Sequence, residues 1–297
     1  MNSYRIIINP CSDHSETARL LPAIEELFSG AECEFLTTQA PGHARQLAAE
    51  TPPGQTVVAV GGDGTVHEVL AGLMTHPSPT RPVLGIIPTG SGNDAALAFG
   101  LPNSFGLAGA AVLRGEARAF DVGCVNGHWF ASSFSVGLDA LVVSKTVEYK
   151  ARHNWSGARL YYSALLYVIT HQLKSIDLEI AVDSNDPVTA GVLLSCVTNG
   201  RTYGGGIPIN PDAVPDDGRL TLAWIDNLSV PASLARLPLI TRGAHTKLKV
   251  YHMRQIERAV LQSAHGGELI AQADGELFSG TRFEVGVHPG AIRVIIP

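Results

Sequence analysis

With 297 residues, 45% of them apolar and 16% charged, the chain can fill one large or two ordinary globular cores, which excludes global disorder. Its net charge of −6 arises in the first part: residues 1–122 carry 6 basic and 12 acidic side chains, residues 123–297 carry 15 of each, so the basic field a nucleic-acid binder needs is missing. No apolar run approaches the ~18 residues of a membrane span, and the opening MNSYRIIINP lacks the layout of a signal peptide, so a cytoplasmic protein is expected.

Taken in chain order, Arg5–Asn9 reads as a short buried strand and Glu16–Phe28 as a helix. A strand at Glu34–Leu36 and a helix at His43–Glu50 follow. Thr56–Val60 is a strand ending in glycines, before a helix from Val66 to Met74. Val83–Ile87 is another strand, and Asp94–Phe99 begins another helix. Continuous apolar strands alternating with helices predict a parallel sheet covered on both faces. Ligands of such sheets sit beyond the carboxyl ends of the strands, where the turns after Val60 and Ile87 lie.

The pattern changes near Asp121. A helix is expected at Gly157–Lys174, with Leu160, Ala164 and Val168 in a core-packing stripe. The remaining segments read as strands: Leu178–Val182, Gly191–Val197, Arg219–Ile225, Thr246–His252, Ala259–Gln262, Leu269–Ala273, Arg282–Val287 and Ala291–Ile296. The expected fold is therefore an α/β domain over residues 1–122 followed by a β-sandwich-like domain over 123–297. Cys11, Cys33, Cys124 and Cys196 are too scattered for a zinc site and read as reduced thiols. Basic residues cluster at 145–159 and 236–258, suited to anionic lipid head groups or to a solvated strand face.

Two turns carry chemistry. Gly61-Gly62-Asp63-Gly64-Thr65 stands between a buried strand and the helix that includes Val66 and His67. Glycines there let backbone N–H groups approach phosphate oxygens, and the following helix N-terminus adds its positive end. Thr65 can cap that helix or bond a phosphate, while Asp63 needs a neutralising partner, which a nucleotide's Mg²⁺ would supply. The second turn, Pro88-Thr-Gly-Ser-Gly-Asn-Asp94, repeats the arrangement: Gly90 and Gly92 open the backbone, and Ser91, Asn93 and Asp94 bring short polar groups to a helix start, Asp94 as an N-cap. Taken alone, Asp274-Gly-Glu276 and Asp217-Gly218 are turn signals.

The order of these segments resembles the catalytic domain of diacylglycerol kinases, sphingosine and ceramide kinases and bacterial lipid kinases. GGDGT followed by PTGSGND is similar to that family, as are Ser135–Asp139, Asn199–Gly206, Pro211–Ala213, Asp217–Leu220, Gln272–Glu276 and Pro289–Val294. The resemblance spans nearly the whole chain and implies an NAD kinase/diacylglycerol kinase-like fold and transfer of the ATP γ-phosphate to a lipid hydroxyl, with diacylglycerol as the leading acceptor class. It implies ATP contacts from Asn9, Thr38, Ser91 and the stretch from Gly61 to His67, Mg²⁺ near Asp63, and Glu276 as general base. It also implies a structural Mg²⁺ held by Asp217 and the backbone carbonyls of Val214 and Arg219. Asn9-Pro-Cys-Ser-Asp13 departs from the family's first loop by lacking a glycine, and Asp13 would repel phosphate. A lipid substrate at a membrane surface is the expected partner, with a homodimer left open. Two rival readings are an NAD kinase, which shares GGDGT, and a nucleotide- or lipid-binding regulator that kept the fold.

Overall fold

The computed structural model describes residues 3–12, 16–153 and 155–297; Asp13, the residue expected to repel phosphate, lies outside them. In the first half β1 (Ser3–Ile8), β2 (Glu32–Thr37), β3 (Thr56–Gly61) and β4 (Val83–Pro88) form a parallel sheet in the order β2-β1-β3-β4. The helices between and after them are α1 (Glu16–Arg19), α2 (Leu21–Leu27), α3 (His43–Ala49), α4 (Asp63–Leu73), α5 (Asp94–Ala98) and α6 (Phe105–Arg114). Successive strand side chains point to opposite faces. Ile7, Val57, Ala59 and Ile86 therefore pack with α3 and α4, while Ile6, Ile8, Val58, Val60 and Ile87 pack with α2 and α6. Both faces are covered, which is why these strands are apolar throughout rather than alternating.

The second half begins with β5 (Glu116–Val125), β6 (His128–Phe130) and β7 (Ser133–Gly137), followed by the helical pair α7 (Leu138–His153) and α8 (Gly157–His171). Then come β8 (Ile176–Val182), β9 (Val188–Thr198), β10 (Leu220–Asp226), α9 (Val230–Ile240), β11 (Tyr251–Ile256), β12 (Arg258–Ser263), β13 (Leu269–Ala273), β14 (Glu276–Gly280) and β15 (Arg282–Ile296). They pair antiparallel in the order β14-β13-β7-β9-β8-β12-β15, with β10 and β11 continuing from β9. Phe130, Phe134, Leu222, Leu261 and Phe283 fill the sandwich core. No helix among the described residues is long and apolar enough to cross a membrane.

One strand joins the halves. The expected strands Arg282–Val287 and Ala291–Ile296 are a single strand, β15, whose register shifts between His288 and Ile292. Before the shift β15 pairs with β12; after it, Val294 pairs parallel with Leu84 of β4. β5 lies against β15 on both sides of the shift, so the change of pattern at Asp121 falls inside a strand and not in a linker.

One expectation needs correction, and two helices were not expected. Thr246–His252 is not a strand: Ala244–Lys247 form a 3-10 turn, with His245 buried and bonded to the Ile209 carbonyl, and the strand starts at Tyr251. The sixteen-residue α7 is absent from the sequence reading because it buries only Asp139, Ala140 and Val142 near its start and carries no apolar stripe. α9 was hidden by Pro231 and Pro238; the first is tolerated at a helix start, the second interrupts the turn before it.

Candidate active site

The carboxyl ends of β3 and β4 and the far edge of the sandwich enclose one open cleft of about 700 Å³. Of the residues expected at the site, Asn9, Thr38, Gly62, Asp63, Gly64 and Thr65 line it from the first half, together with Gly90, Ser91 and Asp94. Glu276 lines it from the second half, so Asp63 and Glu276 face the same space. Gly61, Val66, His67 and Asn93 stand behind the cleft wall. None of Val214, Asp217 and Arg219 belongs to it.

The glycines serve first to bring the two turns together. A Cβ on Gly90 would lie 2.4 Å from the Gly62 Cα, and one on Gly92 would lie 2.8 Å from Asp63 Oδ2. At Gly61 the missing side chain's space is taken by Thr65. Only at Gly64 would an added Cβ meet nothing within 4 Å, because that position opens into the cleft. The helix α4 starts at Asp63, three residues earlier than expected, with Gly62 as its N-cap. Thr65 is therefore inside the first turn and not a cap; its Oγ1 accepts from Asn9 Nδ2 at 3.0 Å. Asn9 Oδ1 accepts the Cys11 N–H at 3.0 Å, an Asx turn that shapes the glycine-free first loop.

Asp63, Asp94 and Asp274 each clamp a different backbone segment. Asp63 accepts the N–H groups of Asn93 (2.8 Å) and Ala95 (3.0 Å), locking the first turn to the second. Burial, then the charge of Asp94, push its pKa up to about 7. Asp94 is not the N-cap; Asn93, at φ 58°, holds that place. The Asp94 carboxylate instead reaches the second half, accepting from the N–H groups of Gly205 (2.8 Å) and Gly206 (2.9 Å), and burial raises its pKa. Asn93 braces the turn internally, with Oδ1 accepting from Gly90 N–H and Nδ2 donating to Asn103 Oδ1.

Asp274 and Gly275, at φ 46° and 90°, make the two-residue hairpin turn between β13 and β14, which sets Glu276 exposed at the cleft edge. Asp274 itself is one of the residues that sequence reasoning missed. It accepts from the N–H groups of Ala131, Ser132 and Ser133 at 2.6, 2.9 and 2.9 Å. His67 Nδ1 lies 3.5 Å from Asp274 Oδ2; burial lowers the imidazole pKa, but Asp274 and Glu276 outweigh it and the net shift is upward. Glu68, also missed, accepts the N–H groups of Gly42 (2.8 Å) and Ala44 (3.1 Å), fixing the loop that carries Thr38. Its signal was its place three residues after Thr65 on the same helix, read only as apolar periodicity.

Asp139 is the third missed carboxylate, although the segment holding it was noticed. It is fully buried, takes hydrogen bonds from Ser135 Oγ (2.6 Å), Gln272 Nε2 (2.9 Å) and Tyr161 Oη (3.1 Å), and has its pKa raised by burial. Asp139, Tyr161 and Tyr203 line both the cleft and a second, apolar cavity of about 80 Å³ beneath α8 and α9. Leu165, Ile169, Leu237 and Ile240 wall that cavity, and three buried polar atoms there have no partner: Ser233 Oγ, Arg236 Nε and His245 Nδ1.

At the expected structural metal loop, Asp217 Oδ1 accepts the Arg219 N–H at 3.0 Å, and Oδ2 has only a 3.5 Å contact with Gln255 Nε2. Among the described residues no three acidic, His or Cys side chains converge on a metal. One carboxylate with a weakly engaged oxygen, plus backbone carbonyls, is nevertheless oxygen chemistry that fits a hard cation. The loop is shaped by Asp121, which accepts from Gly218 N–H (2.7 Å) and Gly290 N–H (2.8 Å) while its own N–H donates to the Pro215 carbonyl.

Residues 3–125 match the family model described as the diacylglycerol kinase catalytic domain, and residues 132–296 match that of the YegS C-terminal NAD kinase beta sandwich-like domain. A diacylglycerol kinase of Mycobacterium tuberculosis (strain ATCC 25618 / H37Rv) is 32% identical over 259 residues, covering 84% of this chain and 80% of that protein. A YegS-like probable lipid kinase of Yersinia enterocolitica is 30% identical over 244 residues, covering 82% and 79%. The crystal structure of a diacylglycerol kinase from Bacillus anthracis str. Sterne superposes with a TM-score of 0.76 at 19% identity, over 100% of this chain and 97% of that one. An NAD kinase from Archaeoglobus fulgidus shares the fold more distantly, with a TM-score of 0.56 at 14% identity over 98% and 93%. By its matched domains and its relatives, the chain belongs to the YegS/diacylglycerol kinase-like lipid kinase family.

Proposed function

We propose that this protein transfers the γ-phosphate of ATP to a lipid hydroxyl, with a diacylglycerol-like acceptor, at a membrane surface. The observation that carries the reading is the cleft that unites the two glycine turns with Glu276 and shares Asp139, Tyr161 and Tyr203 as a wall with an apolar cavity. Phosphates of ATP would lie at the N-terminus of α4 and over Gly64, where backbone N–H groups and the helix dipole favour negative charge. Mg²⁺ carried with the nucleotide would supply charge neutralisation near Asp63, and Asp217 with the Val214 and Arg219 carbonyls would hold a structural Mg²⁺. Glu276, exposed at the hairpin edge, is free to accept the proton of the acceptor hydroxyl. The apolar cavity, at about 80 Å³, has room for only a few carbons of an acyl chain and would have to widen to take more. The relatives named as diacylglycerol and lipid kinases support the same acceptor class.

The test is radiolabelled ATP and Mg²⁺ with a total lipid extract, diacylglycerol first among pure acceptors, and identification of the labelled product. Glu276→Gln should fold normally and lose on the order of 10²- to 10⁴-fold in rate. Phosphorylation of NAD and of no lipid would replace this reading with the NAD kinase one. Tight ATP binding without transfer to any acceptor would favour the regulator.

A further inference from the structure

We infer that His67 is a positioning residue for the transfer step: through Asp274 it holds the hairpin that carries Glu276 at a set distance from the start of its own helix, α4. This deepens the kinase reading, on which it rests for Glu276 as the base and for phosphates at the α4 N-terminus.

Three side chains on the first two turns of α4 tie that helix to three different segments. Asp63 accepts from the second glycine turn, and Glu68 accepts from the start of α3. His67, four residues after Asp63 and so on the same side of the helix, turns to the second half of the chain. The resemblance to lipid kinases implies an ATP contact for His67, but the ring stands behind the cleft wall, with Nδ1 3.5 Å from Asp274 Oδ2. Among the described residues it is the one first-half side chain with a polar contact to the 274–276 hairpin.

The hairpin's other fastenings come from the second half. Asp274 takes the N–H groups of Ala131, Ser132 and Ser133, and Gln272 Oε1 accepts the Gly275 N–H at 2.8 Å. Gln272 is held in turn through its Nε2, which donates to Ser135 Oγ and Asp139 Oδ2, both at 2.9 Å. These bonds fix the hairpin within its own half but not against α4. Ala131 packs with Val66 and Leu70 of α4, so His67 closes a frame whose other side is already in contact.

The contact is poised to tighten. Nδ1 is buried without a hydrogen-bond partner, because 3.5 Å exceeds a good N–H···O bond by about 0.5 Å. Asp274 and Glu276 of the hairpin and Glu68 of α4, all acidic, act on the ring and favour the imidazolium, which donates from Nδ1. The remaining charged groups on elements packed against α4 are engaged elsewhere. Asp94 holds Gly205 and Gly206, His43 accepts the Gln39 N–H, His128 stacks on Phe278, and Arg45 is exposed. A buried donor gains by completing its bond, and such bonds shorten when substrate closes the site. The proposed phosphate cradle and the anchor of the base then sit one turn apart on one helix, so a rigid element sets the gap between them.

The experiment measures ATP-dependent phosphorylation of diacylglycerol in mixed micelles by wild type, His67→Leu and His67→Asn, each also in a Glu276→Gln background. His67→Leu should lose on the order of 10- to 100-fold in kcat, the scale of a 1 Å misplacement, while KM for ATP stays within about twofold. His67→Asn keeps an N–H group in reach of Asp274 and should recover to within about fivefold of wild type. As pH rises and the imidazolium loses its proton, wild-type kcat should fall about fivefold, because a charge-assisted bond becomes a neutral one. His67→Asn should lack that decline. In the Glu276→Gln background His67→Leu should lower the rate by less than about threefold more, since a positioning residue acts only through the base it positions. Full additivity, or a loss that falls on KM for ATP, would overturn the role. Should His67→Leu not fold, the pH profile decides: an alkaline decline that persists in His67→Asn overturns it. Amide exchange at 131–133 and 275–276 should be about tenfold faster in His67→Leu. Unchanged exchange would overturn the anchor. Faster exchange in a protein that phosphorylates no lipid would leave the anchor standing and sink the kinase reading instead.

Discussion

Replacing Gly90 by alanine tests whether the two glycine turns are built to touch each other. The new Cβ would fall 2.4 Å from the Gly62 Cα and 2.9 Å from Asn93 Oδ1, whereas ordinary contacts begin at 3.4 Å. Neither neighbour is the end of a flexible side chain free to swing away, so the turns must separate by about 1 Å, at a cost of roughly 1–3 kcal/mol. For a chain of this size that corresponds to a melting temperature lower by about 2–10 °C. Separation also pulls Asp63 from the Asn93 and Ala95 N–H groups it now clamps, and a 1 Å misplacement in a transfer site can cost about 10²-fold in rate. Gly64→Ala is the matched comparison. It lies in a helical turn, where alanine is favoured by up to ~1 kcal/mol, and its Cβ meets nothing within 4 Å. That variant should melt at or above the wild-type temperature yet bind ATP more weakly, because the methyl group would occupy the space proposed for phosphate. Thermal unfolding and ATP titration on both proteins decide the matter. A Gly90→Ala protein with wild-type melting and turnover would refute the turn-against-turn argument.

Asp94→Asn leaves one acceptor for two N–H groups, Gly205 and Gly206; the unmatched donor should cost about 1–3 kcal/mol, seen as a lower melting temperature and at least a tenfold loss in kcat/KM for the lipid acceptor. Asp63 binds its proton more tightly when folded than at its ordinary 3.8, so the folded state holds the extra proton between about pH 4 and 7 and stability contributed by this group falls as pH rises through that window. Asp63→Asn should flatten that decline in a melting series over the same pH range, without metal or nucleotide; an unchanged slope would contradict it. In the loop that carries Asp217, Asp121→Ala should destabilise by about 3–5 kcal/mol because it strips the buried partner of two N–H groups, while Asp217→Ala without Mg²⁺ should stay within about 1 kcal/mol, as compared by urea unfolding.

Much of the architecture was legible because burial writes directly into sequence. The strands at Thr56–Gly61 and Val83–Pro88 are apolar at every position since both faces are covered, and this alone located the glycine turns at their carboxyl ends. The order of short motifs did the rest, placing Glu276 in the same site as Asp63 although more than two hundred residues separate them. α7 and α9 escaped because their faces are set by what packs on them, not by a stripe of their own.

Sequence by itself determined the parallel α/β half, the β-rich half and the residue types of the cleft, because strand periodicity and turn chemistry are local. Tertiary structure alone decided what each carboxylate does. Asp63, Asp94, Asp121, Asp139 and Asp274 look alike as letters, and each is assigned by which distant N–H or O–H groups reach it: Asn93, Gly205, Gly218, Tyr161 and Ser133 in turn. A buried charge must find such donors or lose its ionisation. The Asp94–Gly205 contact spans the two halves, which meet where β15 runs from the sandwich back to the first sheet, a pairing no local pattern specifies.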